Sequence, residues 1–174
     1  MNRIEQIALM ANYNQWMNRK VYDAAGTLTD AQLILDRQAF FGSILGTLNH
    51  LMLGDTVWLK RFAEHPADFS ALAPLSAIAT PADLKQLAFA DLSELSAHRA
   101  WLDQLIVEWA HSLHESHLDQ HLRYHNMRGA AAEKTLLRAA GAFLQPPDPP
   151  PGAGDNTADP GGGGRRYYRP AGAD

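Results

Sequence analysis

No helix can run through residues 146–151, which read PPDPPP. Each proline removes a backbone donor and drives its ring into the preceding turn. The run also divides the composition. Seven of the ten prolines and seven of the thirteen glycines lie at or after Pro146, whereas all eight histidines and all four tryptophans lie at or before His125. The expected organisation is a folded body over residues 1–141 and a disordered tail over 142–174 that lacks the apolar residues for a core.

Within the body the apolar residues recur at helical steps. Ile4, Ile7, Ala8, Ala11, Trp16, Val21 and Ala25 predict a first helix with one buried face. Residues 30–33 suggest a single short turn before an extended piece over 36–41. A second helix is predicted from Ser43, a suitable N-cap, with Ile44, Leu48, Leu51, Asp55, Trp58 and Phe62 in one stripe. Residues 65–81 carry three prolines and little periodicity, and read as a long surface connection. Ala88, Leu92, Leu95, His98, Leu102, Leu105, Ile106 and Trp109 predict a third helix up to about Leu113. LDQHLRY then alternates polar and apolar residues, as in a hairpin-like excursion closed by Asn126-Met-Arg-Gly. A last apolar segment, from Thr135 to Leu144, is cut short by the prolines. Three amphipathic helices and an interrupted fourth describe an all-α bundle.

The formal net charge is −4 and the one basic cluster is Arg165, Arg166 and Arg169, which argues against a dedicated nucleic-acid binder. With no cysteine, any metal would need histidine and carboxylate ligands. The N-terminal sequence MNRIEQIALMANYNQW is amphipathic and interrupted by Glu5, Asn12 and Asn14, so it has no apolar run of the kind that enters a membrane. The expected location is the cytoplasm, with neither membrane nor nucleic acid as partner.

Three groups of residues are candidates for chemistry. His50, in TLNHLMLGD, lies at the edge of the second stripe beside Thr47 and Gly54, at about 100° per residue. It reads either as a bundle histidine hydrogen-bonded to a neighbour or as a metal ligand. His111, His114, His117, His121 and His125 lie in HSLHESHLDQHLRYH, with spacings that can bring imidazoles together around zinc or nickel. Glu115 and Asp119 fall where the third helix ends, and a solvated helix end is the simpler reading there. In YNQWMN, Asn14 and Asn18 flank Trp16 and share a helix face, so they can tie a neighbouring segment through side-chain to backbone bonds. No nucleophile with an adjacent base, no Gly-rich phosphate loop and no Gly-x-Ser-x-Gly elbow is present.

Taken together, YNQWMN, DRQAFFGSILGTLNHLMLGDTVWLKRF, HRAWLDQLIVEW and LRYHNMRG resemble the DinB family of damage-inducible four-helix bundles over residues 1–129. The resemblance implies an up-down four-helix bundle, here with its fourth helix disrupted. It also implies a divalent metal (zinc, nickel or iron) held by one histidine on the second helix and a His-x-x-x-His pair on the fourth. His50 matches the first ligand. The chain reads AFLQPPDPPPGA where the pair is expected, so the metal is not expected to be retained. The implied activity is that of a metal-dependent hydrolase or thiol transferase acting on a small molecule not identified by sequence, and the alternative is a non-catalytic binding module with a functional tail. A bundle lacking part of one wall has an exposed apolar face, which a homodimer would hide.

The genetic code offers an account of the interruption. If codons from Ala142 are read one base later, the old middle base becomes the first and the next codon supplies the last. Under allowed synonymous choices, residues 142–153 then become His-Phe-Phe-Asn-His-Gln-Thr-His-His-Arg-Gly-Gln, with histidine at the codons of Pro146 and Pro150. The sequence thus reads as a frameshifted bundle, with the slip placed between Gly129 and Glu133.

Overall fold

The computed structural model describes residues 1–145; the proline run and the expected tail from residue 146 on lie outside the described residues, whereas residues 142–144 of that expected tail are helical. Among the described residues there are six α-helices, one 3-10 helix and a two-stranded hairpin: α1 (Arg3–Ala25), α2 (Asp30–Ile34), α3 (Ile44–Ala63), the 3-10 helix (Ser70–Ala77), α4 (Leu92–Ser112), α5 (Glu115–Leu118), β1 (His121–His125), β2 (Ala131–Thr135) and α6 (Leu136–Leu144).

The helix starts follow from side chains that satisfy the first free backbone N–H groups. Asn2 and Glu5 form a capping box at α1. Ser43 Oγ accepts from Gly46 N at 3.0 Å at the start of α3. Asp91 caps α4 through Glu94 N at 2.9 Å, so that helix begins at Leu92 rather than near Ala88. The preceding residues stay out of the helix because Asn49, buried on α3, uses its amide in both directions: Oδ1 accepts from Phe89 N at 2.9 Å and Nδ2 donates to Phe89 O at 3.0 Å.

The bundle consists of α1, α3, α4 and α6, with the shortened fourth helix nine residues long. Cross-helix contacts give their directions. Asn12 meets His111 and Asn18 meets Asp103, so α1 and α4 are antiparallel. Asp55 meets Arg99 and Phe62 stacks on Trp109, so α3 and α4 run the same way. The long connection between α3 and α4 permits this. It is also more than a surface connection, since Phe69, Leu72 and Leu75 are buried. Their three-residue spacing matches the three residues per turn of a 3-10 helix and puts all of them on one side. The core is one continuous cluster centred on Leu59, Phe62, Leu95, Leu102, Trp109 and Leu136, each at most 2% exposed.

Two predicted faces shift. On α3 the buried apolar set is Leu45, Leu48, Met52, Leu53, Val57, Leu59 and Phe62, while Leu51 is 45% exposed and Asp55 and Trp58 are partly exposed. The helix is apolar around most of its circumference, so periodicity alone leaves its inward direction open; the bonds from Asn49 to Phe89 and from Thr56 Oγ1 to Met52 O turn two polar residues inward. On α1, Ile7, Ala11, Tyr22 and Ala25 are buried, whereas Trp16 is 51% exposed and packs on Tyr13. The predicted excursion is a hairpin displaced by a few residues, pairing His121 with Thr135 through His125 with Ala131. Gly129 supplies the positive φ its turn requires.

Candidate functional site

His50 lies on the second turn of α3, and the chain before that helix is folded back over it. Gly46 makes this possible: a Cβ there would stand 2.3 Å from Phe41 O. The close approach places the Phe41 ring flat against the His50 imidazole, with centroids 3.7 Å apart and planes at 20°. On its other side His50 Nδ1 lies 3.0 Å from Leu84 O. A carbonyl only accepts, so Nδ1 carries the proton and Nε2 holds the lone pair. A backbone carbonyl on the far ring nitrogen is the arrangement commonly found behind a metal-ligating histidine.

The other ligands do not follow. Among the described residues no group of three or more His, Cys, Asp or Glu side chains converges to hold a metal ion. The five histidines after residue 110 separate onto different elements. His111, near the end of α4, approaches Asn12 at 3.5 Å. His117 Nδ1 accepts from His114 N at 3.1 Å, closing α5, and its ring stands edge-on to Phe69. His121 and His125 are at the two ends of β1, both exposed. His111 and His114 are exposed where α4 ends, as the simpler reading of a solvated helix end expects, while His121 and His125 lie on a strand. A three-histidine centre does not fit the residues described.

The asparagines of YNQWMN do make the ties their spacing allows. Asn14 Nδ2 donates to Leu144 O at 3.0 Å, fastening the last carbonyl of α6 to α1. Asn18 instead reaches a side chain, donating to Asp103 Oδ1 at 2.8 Å.

Asp103 belongs to a buried charged cluster that the sequence reading missed. Arg99, 3% exposed, pairs with Asp55 at 2.5 Å and with Asp103 at 2.7 Å. Burial pushes both carboxyls upward, opposed by the Arg99 charge. Burial also works against the arginine's charge, but the two aspartates override it and raise Arg99 further. Tyr22, buried beside them, is pushed up to about 12, chiefly by desolvation. The signal was available: Arg99 and Asp103 occupy turns between Leu95, Leu102 and Ile106, and Asp55 stood inside the predicted α3 stripe. Charged residues on a helical face otherwise apolar point to an ion pair within it.

These side chains can bind and orient polar groups. None of them forms a nucleophile with an adjacent base. The family model described as the DinB family matches residues 1–137, a span that takes in every element up to β2 and the first two residues of α6. No curated protein and no solved structure matches the chain.

Proposed function

Because the chain belongs to the DinB family, we propose that it derives from a divalent-metal-dependent hydrolase or thiol transferase and that, as written, it retains one ligand of that centre, His50, without the set needed to hold the ion. The observation that carries this reading is the Nδ1 to Leu84 O bond, which leaves Nε2 as an oriented donor without two further imidazoles to complete a site. If the centre were complete, the metal would supply a Lewis acid or an activated water; the chain's own part would be to orient the imidazole through Leu84 and Phe41. The described residues alone do not supply the rest.

The experiment is calorimetry with zinc, nickel and ferrous iron on the full chain and on His50→Ala. Equal, non-stoichiometric binding by both proteins is expected. A stoichiometric site lost in His50→Ala would sink the proposal, because other side chains would then have to complete the shell.

The out-of-frame reading that synonymous codon choice permits would fit the same proposal. Sequencing the gene across the codons for Gly129 to Glu133 locates any slip, and a chain with the frame restored is expected to melt higher and to gain a metal site that depends on His50. A restored chain that melts no higher and ignores metal would leave the proline-rich segment as a genuine part of the protein. In that case the non-catalytic binding module becomes the better reading.

A further inference from the structure

A bundle helix is expected to be polar on the side away from the core, and α1 is not. At about 100° per residue, Leu9, Tyr13 and Trp16 lie within about 60° of one another and opposite the buried Ile7 and Ala11. They are 57%, 47% and 51% exposed. The Tyr13 and Trp16 rings stand 5.8 Å apart, and Lys20 Nζ lies 6.0 Å from the Trp16 ring centroid, so the stripe is continuous along the helix. It is not the face left open by the short α6. Asn14, which meets Leu144 at the end of α6, and Asn18, which meets Asp103 on α4, both lie about 100° or more round the helix from it. Large apolar side chains gathered on the outer face of one helix mark an interaction surface, unlike apolar residues scattered singly.

The charges beside the stripe identify what covers it. Glu5 lies toward its N-terminal end and Arg19 and Lys20 toward its C-terminal end, all three exposed. Glu5 Oε2 accepts from Asn2 N at 3.0 Å, which leaves Oε1 for another donor. Two copies of α1 laid antiparallel about a two-fold axis near Asn12 bring together residues whose numbers add up to about 24, by helical rise alone. Glu5 of each copy then meets Arg19 of the other, and Leu9 meets Tyr13 and Trp16. The surface is thus complementary to itself, as an isologous contact requires, and opposed helix dipoles favour the same direction. A parallel pairing would set Glu5 on Glu5 and Arg19 on Arg19.

We propose that the protein self-associates through α1 as an antiparallel two-fold dimer, with Leu9, Tyr13 and Trp16 at the seam and Glu5 pairing with Arg19 across it. A single helix pair is small beside the roughly 800 Å² per partner of a standard interface, so a dissociation constant on the order of 10–100 µM is expected. The proposal does not depend on the metal reading, and His50→Ala is expected to leave it unchanged.

The test is sedimentation equilibrium of the full chain from about 1 to about 500 µM, a range that brackets the expected constant. A reversible monomer–dimer equilibrium is expected. Leu9→Glu and Arg19→Glu, both at exposed positions, should each weaken it at least about tenfold. Adding Glu5→Gln to Arg19→Glu removes the opposed like charges and keeps the capping box, so it should recover part of that loss. Direction is read separately, since the chain has no cysteine. A short bismaleimide should join two copies of Asn12→Cys, beside the axis, but not two of Ala24→Cys, which antiparallel helices hold roughly 36 Å apart. A chain that stays monomeric throughout the range overturns the proposal, whether a different protein or the residues after 145 cover the stripe. So does a dimer that Leu9→Glu and Arg19→Glu leave intact, and so does cross-linking of Ala24→Cys to the same extent as Asn12→Cys.

Discussion

The Arg99 guanidinium meets the Asp55 carboxylate at 2.5 Å, joining α4 to α3 inside the bundle. Asp103, one turn further along α4, takes the other side of the same guanidinium at 2.7 Å. Three ionisable side chains thus stand where helical spacing leads one to expect apolar residues, and the arginine is the group that makes the two acids tolerable there.

Removing the arginine alone should therefore be severe. Arg99→Met strands the buried Asp103 carboxylate, and leaves the partly exposed Asp55 unpaired, and is expected to cost about 3–5 kcal/mol in urea unfolding near pH 7. Combining it with Asp103→Leu and Asp55→Asn should recover most of the loss, because no buried charge is then left without a partner. A single Arg99→Met variant within about 1 kcal/mol of the parent would show that the cluster is solvated and that Arg99 and Asp103 are not the buried pair described.

Gly46 is required by contact and not by backbone conformation. Its helical backbone suits any residue, but an alanine Cβ would stand 2.3 Å from Phe41 O. Gly46→Ala is expected to cost about 1–3 kcal/mol and to push the Phe41 segment off His50. The His50 ring protons would then lose the ring-current shift that a stacked phenylalanine imposes, which proton NMR reads directly. An unchanged His50 spectrum in a stable Gly46→Ala protein would contradict the packing.

Acid should weaken the fold through two histidines. Burial, reinforced by the His117 charge, holds His65 below its ordinary 6.5, and burial together with Arg99 does the same for His98. A depressed folded value means the neutral ring is favoured in the native state. Its stabilising contribution is complete above pH 6.5 and is lost as pH falls through the folded value. Melting temperatures measured from pH 7.5 to 5 should fall, and the fall should be shallower in His65→Gln and in His98→Gln. A parallel decline in parent and both variants would assign the acid sensitivity to other groups.

Asn14→Ala removes a side-chain hydrogen bond that fastens the end of α6 to α1. A loss of about 1 kcal/mol is expected. Hydrogen exchange gives the sharper reading: amides of residues 140–144 should exchange faster while those at the centre of α4 keep their protection. Equal acceleration in both would mean that α6 opens only with the whole bundle.

The three long helices were legible from the chain because α1, α3 and α4 each present apolar residues at steps of three and four, a pattern that depends on neighbouring turns alone. The shortened α6 was legible for the same reason, since a proline acts on the turn immediately before it, and Leu144 is the last helical residue. The 3-10 helix was hidden because Phe69, Leu72 and Leu75 have a three-residue spacing that looks irregular against an α-helical period, and because the prolines around them suggested a solvated loop.

The direction in which each helix faces inward, and which polar residues go with it, was settled by tertiary contacts. Whether Asn49, Arg99 or Asp103 can be buried depends on a carbonyl, an amide or a carboxylate brought up from a segment distant in sequence, and helical periodicity carries no record of that. For the site the division is similar. His50 could be singled out from residues near it on the chain, together with a resemblance over residues 1–129. Its tautomer was decided by Leu84, its stacking by Phe41 across the gap that Gly46 leaves, and the bond from Asn18 to Asp103 by α1 and α4 lying side by side. Hydrogen bonds and close packing act between groups within a few ångströms of one another, and only the folded chain brings those groups together.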